Sequence, residues 1–137
     1  MLLGSGRAQG DGSHTCSAPD KQFLQTVQMN MTQLEYWSGE LGDQDVAPSV
    51  VVQQARSEAD QVDATRPMDP TLAMTRKLLR TMFREYAQAV YAKFHHGNAG
   101  VHMQLAYTLA NTVHDELVGA QRPLASMGCD VTPLLSG

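Results

Sequence analysis

From Ser17 to about Met127 the apolar residues of this chain return every three or four positions, and nowhere do β-branched residues alternate with polar ones. A step of three to four follows one face of an α-helix, whereas a half-buried strand needs a step of two. The spacing therefore points to an all-α fold before any other property is considered.

Four segments carry the pattern. The first opens at "SAPD", with Ser17 as N-cap, Pro19 in the first turn and Asp20 completing a capping signal. Its stripe is Phe23, Val27, Met31, Leu34, Trp37 and Leu41, and Gly42 closes it. The second runs from about Pro48 to Ala64 on a thinner stripe of Val51, Val52, Ala55, Ala59 and Val62. "TRPMDP" then breaks the chain, leaving Asp69 as N-cap and Pro70 at the first helical position of the third. Leu72, Leu79, Phe83, Tyr86, Val90 and Phe94 mark that helix, supported by Met82 and Ala89. Gly97 is expected to take the left-handed conformation that ends it, and Asn98 to cap the fourth. Val101, Leu105, Leu109, Val113 and Leu117 form the fourth seam, Pro123 should kink or end it, and Gly128 is the stop. Four amphipathic helices with short links predict an antiparallel up-and-down four-helix bundle.

The two cysteines bracket this region. Cys16 precedes the first N-cap and Cys129 follows the last stop. In an up-and-down bundle the start of the first helix and the end of the fourth lie together, so a Cys16–Cys129 disulfide is expected. Such a bond would tie back a loose "DVTPLLSG" tail and would place the protein in an oxidising, extracytoplasmic compartment, secreted or membrane-tethered. Residues 1–15, rich in Gly, Ser and polar residues, read as a flexible tether to a single four-helix domain over 16–137.

Composition narrows the function. A chain of 137 residues with 42% apolar content suits one globular domain, and a net charge of -4 argues against a nucleic-acid binder, which needs a basic face. No apolar run approaches the roughly 20 residues of a membrane span. "MLLGSGRAQGDG" lacks the basic start of a signal peptide as it stands. "GSGRAQG" shares only its glycines with a phosphate loop, lacking the preceding strand and the Lys-Ser/Thr ending. Glu35, Glu40, Glu58, Glu85 and Glu116 are never followed three residues on by His, which excludes a ferritin-like di-metal site. H-E-x-x-H and C-x-x-C are absent as well. "NMT" at Asn30 fits a glycosylation pattern but falls inside a helix.

Three features remain as candidate sites. "KFHHGNAGVH" places His95, His96 and His102 around a helix corner, where imidazoles from both sides could hold a borderline divalent metal. The plainer reading puts His95 and His96 at a helix C-terminus and His102 in the seam, level with Lys93 and Phe94 in a hairpin centred near residue 98. Met31 and His114 lie at one height on the first and fourth helices, a haem-ligating arrangement that the poor alignment of His114 with its seam makes weak; no cofactor is expected. Arg76, Lys77, Arg80 and Arg84 form a cationic flank, either paired with Glu58, Asp60, Asp63 and Glu116 inside the bundle or offered to an acidic partner. An Arg80–Glu116 contact is expected from the same hairpin. Met29 and Tyr36 face away from the first stripe and are candidate partner-binding residues if no helix covers them.

The sequence reads best as a non-enzymatic helical binding or interaction domain, with an unknown protein or small-molecule ligand. A ligand- or metal-sensing ectodomain using the histidine corner, or a small helical enzyme, are the alternatives. Oligomeric state is not encoded in any pattern found.

Overall fold

A computed structural model of the chain describes residues 15–135. The tether expected over residues 1–15 lies outside the described residues except for Thr15. Four long helices, α1 (Ala18–Gly42), α2 (Pro48–Ala64), α3 (Pro70–Lys93) and α4 (Ala99–Ser126), are followed by a single turn, α5 (Thr132–Leu135). They pack as the antiparallel up-and-down bundle that the periodicity predicts: α1 against α2, α2 against α3, and α3 against α4. The seam between α1 and α4 is the loosest, and α5 sits against both at one end of it.

Caps form where the sequence places them. Ser17 accepts from the Asp20 amide, Asp69 from the amides of Thr71 and Leu72, and Asn98 from that of Val101. Asp20 does more than close a capping box. It is buried; one carboxylate oxygen accepts from the Ser17 hydroxyl at 2.7 Å, and the other from the amides of Met68 and Asp69 at 2.7 and 3.0 Å. The start of α1 is thereby clamped to the α2–α3 connection.

The core is uneven along its length. At the end shared by Cys16 and Cys129, Phe23, Leu72, Phe83, Leu117 and Leu124 interlock. At the opposite end a second cluster is built from Val51, Val52, Ala55, Ala87 and Val90. Small side chains fill less volume between backbones set 8–10 Å apart. Partly buried Trp37, Leu41, Val46 and Tyr86 surround the second cluster.

The disulfide is present, with sulfurs 2.10 Å and Cα atoms 4.8 Å apart, spanning 113 residues. The described part of the tail after it, to Leu135, is packed and not loose: Val131 is buried in the core and Leu134 lies against it.

Several local expectations are corrected. The left-handed residue at the α3–α4 corner is His96, with φ 59°, and not Gly97. Gly97 is required for another reason: a Cβ there would lie 2.9 Å from the Ala92 Cβ, and its amide donates to the Ala92 carbonyl at 2.7 Å. α4 runs through Pro123 to Ser126, since the missing N–H falls on an exposed face one turn from the end. Val101 and Leu105 are exposed, while Ala106, Val113, Leu117 and Leu124 are buried. Each step of four residues overshoots a full turn by about 40°, so an unbroken i+4 stripe winds off the buried face. Phe94, expected in the α3 stripe, is the C-cap residue and points outward.

Candidate binding cleft

The end of the bundle opposite the disulfide is open. Ser38, Leu41 and Gly42 at the end of α1, the α1–α2 connection, Tyr86 to Phe94 on α3, and Ala99 and Met103 on α4 line a cleft of about 650 Å³. Its existence follows from residue size. Gly42 has open space where a side chain would stand, Ala89 and Val90 offer small walls, and the larger Val101 and Leu105 are exposed. The lining is mainly apolar. Its polar groups are few: Ser38 and Tyr86, whose hydroxyls bond each other at 2.5 Å, Gln44, and Lys93 at the rim. Lys93 is exposed and forms no ion pair among the described residues; its ammonium lies 5.8 Å from the centre of the Phe94 ring.

Beside Tyr86 the interior holds a carboxyl group. Glu58 on α2 is 2% exposed, and both of its carboxyl oxygens are buried without a hydrogen-bond partner. The neighbouring Asn30 amide donates to the Glu58 backbone carbonyl at 3.2 Å and leaves the carboxyl alone. Burial raises the Glu58 carboxyl from an ordinary 4.5 to about 7, because an unpaired charge is poorly solvated there. Burial also raises the Tyr86 phenol, an effect opposed by the Ser38 hydrogen bond and reinforced by Glu58.

The sequence-predicted sites are distributed otherwise. His95 stacks on Tyr91 with centroids 4.0 Å apart and its Nδ1 contacts the Tyr91 carbonyl; His96 is exposed; His102 Nδ1 lies 2.7 Å from Glu85 Oε1. The three imidazoles are not brought together. Among the described residues the one group of three ligand-type side chains within reach of one another is Glu40, Asp43 and Asp45, at the α1–α2 corner. His102 was placed level with Lys93 and Phe94 by a symmetrical hairpin; its partner is instead about two turns lower on α3. The expected Arg80–Glu116 contact does not form: Arg80 turns to α2 and pairs with Asp63 at 3.4 Å. Arg76 also pairs with Asp63, at 3.1 Å, and donates to its carbonyl, and Arg84 reaches Asp60 at 3.6 Å. Three members of the cationic flank are thus turned toward α2, without Glu58, while Lys77 is exposed. Met29 and Tyr36 are exposed, Tyr36 with its ring edge-on to Trp37. Asn30 is buried, so its amide is unavailable to a glycan. Met31 and His114 do line one small cavity, but at about 70 Å³ it is lined mostly by aliphatic side chains and is no haem pocket.

Sequence reasoning missed the cleft and the solitary Glu58. The signal for the cleft was available as the contrast between Val/Ala-rich and Leu/Phe-rich halves of the stripes. The one for Glu58 was its spacing: it lies three residues after Ala55 and four before Val62, within the buried stripe of α2.

No family model, curated protein or solved structure matches the chain.

Proposed function

We propose that this protein is a non-enzymatic helical binding domain that works outside the cytoplasm and receives its ligand in the cleft at the open end of the bundle. The observation that carries the reading is the cleft itself. A smaller hollow of about 400 Å³ lies beside the disulfide, between Cys16, Leu24 and Leu134, while the opposite end keeps a mostly apolar one of about 650 Å³, within the 300–1,000 Å³ range of small-molecule sites. The polar groups in that hollow suit holding more than chemistry: the Ser38 and Tyr86 hydroxyls face each other, and no histidine or carboxylate lines the space beside them. The disulfide supports an oxidising compartment. Among the described residues no helix is long and apolar enough to cross a membrane. Docking of an acidic partner on Arg76, Arg80 and Arg84 is disfavoured by their engagement with Asp63 and Asp60.

Two measurements test the proposal. Thiols alkylated at the moment of lysis should leave Cys16 and Cys129 unlabelled. A thermal-shift screen of small apolar molecules should yield compounds that raise the melting temperature of the wild type but not of Ala99→Trp, which fills the cleft from a half-buried position. Labelled cysteines refute the compartment, and a screen without such compounds refutes the site.

A further inference from the structure

Resting on that reading of the cleft, we infer that its ligand is a single-chain amphiphile with an anionic head: an aliphatic chain laid against Leu41, Val90 and Met103, and a carboxylate held at the rim by Lys93. Shape and charge both support this class. The hollow lies between the ends of helices and is walled largely by aliphatic side chains, which suit a flexible hydrocarbon chain. Among the described residues, Lys93 is the one charged residue in the lining. It forms no ion pair with a described acid, as Lys77 does not, whereas Arg76, Arg80 and Arg84 of the same helix each do. An unpaired ammonium beside an apolar cleft is complementary to one negative charge on an apolar body. Glu40, Asp43 and Asp45 stand on the same corner, yet none of them lines the cleft. One hydroxyl of the Ser38–Tyr86 pair donates to the other, so the pair leaves a single O–H for the ligand or water to meet. A dicarboxylate or a sugar would leave most of its polar groups facing Leu41, Val90 and Met103.

The test uses the delipidated full chain and an undecanoic acid carrying an environment-sensitive fluorophore at its far end. Saturable one-to-one binding is expected, displaced by dodecanoic acid more effectively than by dodecanol, and by dodecanol more effectively than by dodecylamine. Lys93→Ala should weaken the acid by about five- to tenfold, the equivalent of losing one exposed charge pair of about 1 kcal/mol, while leaving dodecanol unchanged. Ala99→Trp should weaken both; a circular dichroism melt matching the wild type shows that the variant is folded, and Met103→Trp serves as the second filling variant if it is not. Equal displacement by acid, alcohol and amine, or an unchanged affinity in Lys93→Ala, overturns the anionic class. Co-sedimentation with phosphatidylglycerol vesicles that Ala99→Trp does not diminish would assign the affinity to a membrane surface and overturn the cleft assignment. If the amphiphiles fail while other compounds shift the melting temperature in an Ala99→Trp-sensitive way, the class falls and the binding-domain reading stands.

Discussion

Replacing Glu58 by Gln should stabilise this protein, and by an amount that grows with pH. The carboxyl is 2% exposed, unpartnered, and raised by burial to about 7 from an ordinary 4.5. In the unfolded chain it loses its proton near 4.5; in the folded chain it keeps that proton to about pH 7. Between these values the folded state binds more protons than the unfolded one, so stability falls as pH rises, and above pH 7 the loss is complete. A difference of about two to three pKa units at 1.36 kcal/mol each amounts to roughly 3 kcal/mol. That is a large part of the 5–15 kcal/mol typical of a small domain. Glutamine keeps the shape and removes the ionisation. Urea titrations of both proteins from pH 4.5 to 8.5 should show nearly equal stabilities at the acid end and a gap opening to about 3 kcal/mol by pH 8, favouring Glu58→Gln. The histidines are common to both proteins and cancel in the difference. The neighbouring Tyr86 phenol is raised further from its ordinary alkaline range and does not titrate in this window. Stability curves that stay parallel across the range would refute the reasoning, because they would mean that Glu58 finds water or a partner when charged.

Three further outcomes are expected. Reducing the Cys16–Cys129 bond, or changing both cysteines to Ser, reopens a loop of 113 residues and should lower stability by up to about 4–5 kcal/mol, read as the shift of the urea midpoint with and without reductant. Asp20→Ala removes the acceptor for the Ser17 hydroxyl and the Met68 and Asp69 amides and should lower stability by about 2–3 kcal/mol, with early amide exchange at Met68 and Asp69. At the α3–α4 corner, Gly97→Ala should be destabilising by about 1 kcal/mol or more through its clash with Ala92, whereas His96→Gly, at φ 59°, should be neutral or stabilising by up to about 1 kcal/mol in thermal melts.

The helices, their caps and the disulfide were legible in the chain itself, because each rests on local rules or on topology. Ser17, Asp69 and Asn98 cap because a short polar side chain reaches an amide two or three residues on, whatever the rest of the protein does. Cys16 and Cys129 meet because four antiparallel helices bring the two outer limits of the bundle to one end. Tertiary structure alone decided what depends on stagger and rotation. The stripe of α4 could not be phased by four-residue steps that wind around the helix, so Val101 and Leu105 were misplaced. His102 reaches back to Glu85, and Arg80 turns to Asp63 on α2 and not to α4, because rotation about the helix axis and side-chain reach, and not height along the bundle alone, select the partner. The cleft and the buried Glu58 are the clearest cases. A periodic pattern states which face of a helix is turned inward, but not how much volume the opposing side chains fill. The Val and Ala residues at one end are as apolar as the Phe and Leu residues at the other; only packing shows that they leave a hollow, and that an acid in the stripe of α2 lies inside the protein with nothing to pair it.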